Sequence, residues 1–169
     1  MAYTFLKSKG NNIGKSLLDD ESIDFCNDML SKYGNKIILP IDSVVSVSTD
    51  CNDCYVKKIE EISDNEMGLD IGPETIKLFI SNLEDAKRVI INGPMGLFEN
   101  DLYSNGTKCI YDYITTNNIK CLIGGGDSAS SVNKLSSPNK FYHVSTGGGA
   151  TLEYLEGKVL PGIGVIDEK

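Results

Sequence analysis

The sequence lacks the features that mark several classes of protein. It contains one histidine, His143, and one arginine, Arg88, and its 24 acidic residues against 16 basic ones give a formal charge of −8. A surface of that sign repels phosphodiester polymers, so we expect no nucleic-acid partner. No apolar run approaches the roughly 18 residues that cross a bilayer, and Lys7 interrupts the short apolar stretch at residues 1–6. We therefore expect a cytoplasmic protein with no membrane partner.

The spacing of the cysteines does not predict a structural zinc centre. Of the five in the chain, only Cys51 and Cys54 have the spacing of metal ligands. Zinc needs a second pair of ligands, which the sequence does not supply. Because the number of cysteines is odd and no export signal is recognisable, we predict free thiols rather than disulfides.

Length and composition indicate a globular chain. Its 169 residues correspond to about one domain at roughly 150 residues per domain, which we place over residues 1–169. With 40% hydrophobic and 24% charged residues, the chain can bury a sizeable core.

Hydrophobic periodicity predicts alternating helices and strands. Helices are expected over residues 19–33, after the Gly72-Pro73 pair, over about 104–116, from Asp127 and up to Gly157; strands are expected over residues 36–42, 88–92, 120–123 and 141–145. Residues 43–67 fit less well, with a strand near Val44 and Val45 and a short edge strand at 55–59, whose order is not predicted. The alternation favours a doubly wound, Rossmann-like α/β fold, a three-layer αβα arrangement with helices on both faces of a parallel sheet. We expect this sheet to lack its first strands.

Three predicted strands end in glycine-rich loops. These are Asn92-Gly93-Pro94-Met95-Gly96, Gly124-Gly125-Gly126-Asp127-Ser128 and Gly147-Gly148-Gly149. The carboxyl ends of parallel strands share one edge, so we expect the loops to meet there. Glycine allows tight turns, but two of these loops carry three in a row, more than a turn needs. Backbone N–H groups in such loops bind anions, and a following helix adds its positive dipole end. The sequence therefore predicts a polyphosphate site.

Asp127 has two compatible roles beside such a site. Aspartate is a preferred residue at the start of a helix, and a carboxylate beside phosphates is also a usual ligand of Mg²⁺. Ser128 could add a hydroxyl. His143 is interpreted as a structural histidine of its strand rather than a catalyst.

Two other glycine patterns are weaker. Residues 124–129 match the dinucleotide pattern G-x-G-x-x-A, but the next strand ends at Ser145-Thr146 instead of the acid that would hold a ribose, which disfavours a hydride-transfer enzyme. Residues 10–16 resemble a P-loop, yet they have three residues between the glycines instead of four and follow no apolar strand.

With these motifs, the sequence closely resembles the carboxyl-terminal, nucleotide-binding half of phosphoglycerate kinase. The matching motifs are residues 1–6, 67–73, 92–99 and 124–127, and the long run over residues 143–162. They cover nearly the whole chain in the order of the family. The resemblance implies reversible phosphoryl transfer from 1,3-bisphosphoglycerate to Mg-ADP, yielding 3-phosphoglycerate and Mg-ATP in glycolysis, with Mg²⁺ and ADP or ATP as cofactors.

The resemblance also implies roles for individual residues. Leu17 and the backbone of Gly68 and Leu69 would line the adenine pocket, and Pro94 and Glu99 would meet the ribose. Asn92 would lie near the phosphates and Asp127 would hold the metal. The remaining nucleotide-binding positions are Gly93, Gly96, Leu97, Gly124, Gly125 and Ser128, and the backbones of Gly126, Gly148 and Gly149 would face the transferred group.

A complete member of this family also has a basic amino-terminal domain for phosphoglycerate and a glycine- and lysine-rich segment upstream of the present Met1. We therefore expect that the chain begins inside a larger protein. Alone, it should be a monomer, bind adenine nucleotide weakly, if at all, and not turn over. The alternative is a non-catalytic nucleotide- or phosphate-binding module that acts on a partner.

Overall fold

Two units are built from alternating parts of the chain. The computed structural model describes residues 1–51 and 53–166. The first unit contains Met1–Glu84 and Met95–Ile110, and the second contains Asp85–Pro94 and Tyr111–Lys169. That residues 1–169 form one nucleotide-binding domain stays a prediction.

The first unit contains a three-stranded antiparallel sheet. Its strands are β1 (Asp42–Ser46), β2 (Tyr55–Lys58) and β3 (Met67–Ile71), in the order β2-β1-β3. The edge strand predicted near 55–59 is confirmed, and the order of this segment, which was not predicted, is antiparallel. The connection between β1 and β2 is too short for the crossover that parallel neighbours need, whereas antiparallel neighbours tolerate short loops.

The strand predicted over residues 36–42 is wrong. Residues 37–41 have no regular structure, and the strand begins at Asp42. Pro40 lies inside the predicted segment, and proline cannot donate a ladder hydrogen bond. The apolar run Ile37-Ile38-Leu39 therefore leads into the strand instead of forming it.

Three helices complete the first unit. They are α1 (Ala2–Ser8), α2 (Ile23–Tyr33) and α3 (Pro73–Leu83). The predicted helix over 19–33 begins with a short 3₁₀ turn at Asp20–Ser22, and the predicted start of α3 at Pro73 is confirmed, with proline in its first turn. The core of this unit is an apolar cluster of Leu6, Ile13, Val45, Ile59 and Ile62.

The second unit contains the predicted parallel sheet. Its strands are β4 (Arg88–Ile91), β5 (Lys120–Gly124) and β6 (His143–Ser145), in the order β4-β5-β6, with both pairings parallel. The intervening and following helices are α4 (Asn105–Thr116), α5 (Gly126–Leu135), α6 (Gly148–Leu155) and α7 (Pro161–Gly164). Helix α4 begins in the first unit. The predicted three-layer α/β class, with a parallel sheet flanked by helices, is confirmed.

The core of the second unit lies beneath this sheet. Cys121 and Ile123 of β5 and Val132 of α5 are fully or almost fully buried. The Tyr111 ring packs edge-on against Phe141, with centroids 5.2 Å apart and planes at 74°. Aromatic pairs prefer this arrangement. No helix among residues 1–51 and 53–166 is long and apolar enough to cross a membrane.

Candidate functional site

The three glycine-rich loops follow three neighbouring parallel strands. Ile91 of β4 pairs with Ile123 of β5, and Gly124 of β5 pairs with Ser145 of β6, so the strands end at the same level. Beyond the ladder, the Gly125 N–H donates to the Ser145 carbonyl at 3.0 Å. The predicted meeting of the loops at the carboxyl edge of this sheet is therefore present in the second unit.

Asn92 lies where the three loops converge. A Cβ atom added to Gly125 would lie 3.1 Å from the Asn92 Oδ1, and one added to Gly148 would lie 3.2 Å from the same oxygen. The added Cβ of Gly148 would also come within 2.8 Å of the Gly125 Cα, which is closer than real Cβ atoms approach. The second and third loops are therefore packed backbone to backbone, with no room for a side chain at Gly148.

The second loop turns directly into helix α5. Gly125 has φ of +102°, a conformation that side chains disfavour, and the helix begins at the next residue. Asp127 is exposed in the first turn, where a carboxylate is stabilised by the helix dipole. Ser128 is only 1% exposed, and its Oγ accepts the Gly93 N–H at 2.6 Å. This hydrogen bond joins the first loop to α5.

The third loop turns into helix α6 in a similar way. Gly147 precedes the first residue of α6, its N–H donates to the Ser145 Oγ at 3.2 Å, and its carbonyl accepts from the Thr151 hydroxyl at 2.7 Å. The first N–H groups of a helix have no partner inside the helix. Two helices of eight or more residues thus start at one sheet edge, which is the arrangement that binds anionic groups.

A phosphate group and its metal fit this edge. Gly125 and Gly148 approach each other closely with no side chain between them, and the first turns of α5 and α6 begin beside them. Asp127 supplies an exposed carboxylate beside them, and Mg²⁺ takes few protein ligands because phosphate oxygens and water complete its coordination. Among residues 1–51 and 53–166, no three His, Cys, Asp or Glu side chains form a metal-binding group.

The residues predicted for adenosine lie in the first unit, apart from Pro94, which ends a segment of the second unit. The Gly68 N–H donates to the Ser16 Oγ at 2.9 Å, which places Gly68 next to the segment that carries Leu17. The Leu97 N–H donates to the Leu69 carbonyl at 2.8 Å. Three segments that are far apart in the sequence, those that carry Leu17, Gly68 and Leu97, are thus joined by hydrogen bonds. The Leu17 side chain is 89% exposed, and the Glu99 side chain is also exposed.

Two residues that lie near the residues predicted for adenosine were not predicted from the sequence. Ser16 is buried and accepts the Gly68 N–H; it lies in the segment that resembles a P-loop, but its role is to hold β3. Asp70 is a buried carboxylate, 3% exposed, in the middle of strand β3. The signal that could have identified it is an acidic residue between the apolar residues Leu69 and Ile71.

Comparison with known proteins identifies the family. The profile of the family described as phosphoglycerate kinase matches residues 1–158. The chain belongs to the phosphoglycerate kinase family. The phosphoglycerate kinase of Lactobacillus delbrueckii subsp. bulgaricus is 48% identical over 174 residues, covering all of this chain and 42% of the relative. That of Staphylococcus aureus strain JH9 is 48% identical, covering all of the chain and 43% of the relative.

A solved phosphoglycerate kinase has the same fold. The structure of phosphoglycerate kinase from Coxiella burnetii superposes with a TM-score of 0.89 at 35% identity, covering 96% of this chain and 43% of that structure. The chain therefore spans about two fifths of the length of the phosphoglycerate kinases it matches.

Proposed function

We propose that the chain is the carboxyl-terminal, nucleotide-binding half of a phosphoglycerate kinase. In this proposal it binds Mg-ADP and Mg-ATP for reversible phosphoryl transfer between 1,3-bisphosphoglycerate and ADP, which yields 3-phosphoglycerate and ATP in glycolysis. The observation that carries the proposal is the convergence of three glycine-rich loops around Asn92 at one sheet edge. A family match over residues 1–158 supports the choice of reaction.

The phosphates would be bound mainly by backbone groups. The backbone of Gly93 follows Asn92 directly, the backbones of Gly124 and Gly125 lie close to the Asn92 amide, and the start of α5 adds a positive dipole end. The backbones of Gly126, Gly148 and Gly149 would face the transferred phosphoryl group, and N–H groups in the first turns of α5 and α6 would stabilise the charge that develops on it. Phosphoryl transfer depends chiefly on positioning and charge stabilisation, which fixed backbone donors can supply.

Asp127 would hold the magnesium ion. Its carboxylate is exposed in the first turn of α5. The bound ion would supply neutralisation of phosphate charge. Ser128 would act indirectly, because its buried hydroxyl fixes the loop at Gly93 by the 2.6 Å hydrogen bond.

The adenosine would be bound by the residues predicted for it in the first unit. Leu17 offers an exposed apolar side chain for the adenine ring, beside the backbone of Gly68 and Leu69. Glu99 offers an exposed carboxylate that can accept hydrogen bonds from ribose hydroxyls. Gly96 and Leu97 would complete this part of the site.

The remaining substrate contacts would come from protein outside these 169 residues. The chain spans 42% of its relative from Lactobacillus delbrueckii subsp. bulgaricus, and its single arginine and single histidine make a poor site for a phosphorylated acid. We therefore expect the 169-residue chain to be a monomer that binds nucleotide weakly without turning over. Detectable ATP formation by this chain in a coupled assay, above a buffer blank, would contradict that expectation.

Calorimetry tests the proposed function. Mg-ADP should bind the wild-type chain, and Asp127→Ala should abolish the gain in affinity that magnesium gives. Asp24→Ala is the matched control, because Asp24 is also an exposed aspartate in the first turn of a helix. The proposal is wrong if the wild type does not bind Mg-ADP, or if the Asp127 and Asp24 variants respond to magnesium equally.

A further inference from the structure

The buried carboxylate of Asp70 contacts two segments besides its own strand. Its Oδ2 accepts the Gly106 N–H at 2.7 Å, and its Oδ1 accepts the Ile71 N–H at 2.8 Å. A Cβ atom added to Gly96 would overlap the Asp70 carboxylate. The carboxylate therefore lies between the first turn of α4 and the loop that leads to Glu99.

The first turn of α4 in turn holds the start of that loop. Thr107 is fully buried, and its Oγ1 accepts the Met95 N–H at 2.9 Å. Two residues further along, the Leu97 N–H donates to the carbonyl of Leu69, the neighbour of Asp70. The loop is thus held at Met95 by the first turn of α4, which Asp70 contacts, and at Leu97 by the strand of Asp70.

Burial of the Asp70 carboxylate is unfavourable for the stability of the folded chain. Loss of solvent raises the pKa of Asp70 to about 6, and the two backbone hydrogen bonds lower it only in part. A buried acid without a compensating cation costs free energy, whereas an apolar side chain would not. The loop and the helix that it joins give the carboxylate a role that an apolar side chain could not fill.

We propose that Asp70 is a positioning residue for the adenosine end of the nucleotide. Its carboxylate fixes the first turn of α4 and holds the loop over residues 95–99, which carries Leu97 and Glu99, against the strand that carries Gly68 and Leu69. The inference rests on the proposed function, in which these four residues bind the base and ribose.

The test compares the affinity of the chain for Mg-ADP with its affinity for magnesium pyrophosphate, which represents the phosphate portion of the nucleotide. Asp70→Asn preserves the shape of the side chain but leaves an N–H donor facing one of the two backbone donors. We expect Mg-ADP to bind this variant about ten-fold more weakly, as follows from loss of one charge-assisted hydrogen bond, while magnesium pyrophosphate binds as it does to the wild type. Calorimetry or competition on the 169-residue chain gives both affinities.

Asp42→Asn is the matched control. Asp42 is 4% exposed in the same unit, and its carboxylate accepts the N–H groups of Glu74 at 3.0 Å and Thr75 at 2.8 Å in the first turn of α3. The same chemical change is thus made at the start of a helix that carries none of the predicted adenosine residues. We expect it to lower stability but to leave the ratio of Mg-ADP to pyrophosphate affinity unchanged.

A second variant covers the case in which Asp70→Asn does not fold. Thr107→Val removes the acceptor of the Met95 N–H with little change in volume, and it should weaken Mg-ADP but not pyrophosphate. The inference is overturned if Asp70→Asn, or Thr107→Val in its place, keeps the wild-type affinity ratio, or if Asp42→Asn changes that ratio equally. A wild-type chain that binds Mg-ADP no better than pyrophosphate would instead contradict the proposed adenosine site itself.

Discussion

The hydroxyl of Ser128 accepts the backbone N–H of Gly93 at 2.6 Å and so joins the first glycine loop to helix α5. Ser128 is 1% exposed, so water does not compete for this hydrogen bond. The same residue is held by its own helix, since its carbonyl accepts from the Ser131 hydroxyl at 2.8 Å. The spacing between the first two loops therefore depends on one buried side chain.

Ser128→Ala should loosen this connection. The Gly93 N–H would lose its partner, at a cost of about 1 kcal/mol or somewhat more, and we expect the Kd for Mg-ADP to rise about five-fold. Ser130→Ala removes an exposed hydroxyl from the same helix and should leave both affinity and Tm unchanged. Equal Mg-ADP affinity in the two variants would show that the hydrogen bond does not organise the site.

Gly148→Ala should disrupt the packing of the second and third loops. Its Cβ would come within 2.8 Å of the Gly125 Cα, and overpacking of this kind costs roughly 1–3 kcal/mol. We expect a lower Tm and a loss of affinity for Mg-ADP and for magnesium pyrophosphate alike. Gly34→Ala is the control, because an added Cβ there meets no atom within 4 Å. Unchanged pyrophosphate binding by Gly148→Ala would contradict the predicted position of the phosphates.

The buried carboxylate of Asp70 should make stability depend on pH. Its pKa is raised from 3.8 to about 6 by burial, so between these values the folded chain binds more protons than the unfolded chain. The contribution of this residue is therefore fully present below about pH 4 and is lost as pH rises through about 6, by on the order of 3 kcal/mol. Urea unfolding of the wild type and of Asp70→Asn at several pH values measures it. The difference in unfolding free energy between the two should shift in favour of Asp70→Asn as pH rises. A pH-independent difference would contradict the raised pKa.

The meeting of the glycine-rich loops at one edge of the parallel sheet could be predicted because its signals are local. The apolar strands at residues 88–92, 120–123 and 141–145 end directly in glycine-rich loops, and parallel pairing then brings the loops together. The first two strands were predicted to within one residue, whereas β6 begins two residues later than expected. Their convergence required only the rule that parallel strands end at one edge.

The antiparallel sheet could not be predicted from the same signals. Strand β1 carries buried polar side chains at Asp42, Ser43 and Ser46, so its residues do not alternate as a half-buried strand should. Their burial depends on distant partners: the Ser43 hydroxyl donates to the Asp70 carbonyl at 2.7 Å, and Asp42 binds the start of α3. Such contacts between segments far apart in sequence leave no local pattern, and for the same reason Asp70 was not recognised as a framework residue.

The central claim is that the three glycine-rich loops bind the phosphates of Mg-ADP. Titration of the ¹⁵N-labelled chain with Mg-ADP, followed by amide chemical shifts, tests it most directly, because weak binding is still detected residue by residue. We predict that the amides of Gly93, of residues 124–128 and of residues 147–149 shift together along one binding curve, and that the shifts near Asp127 require magnesium. Saturating Mg-ADP that leaves these amides unmoved, or that shifts only amides elsewhere, would contradict the claim.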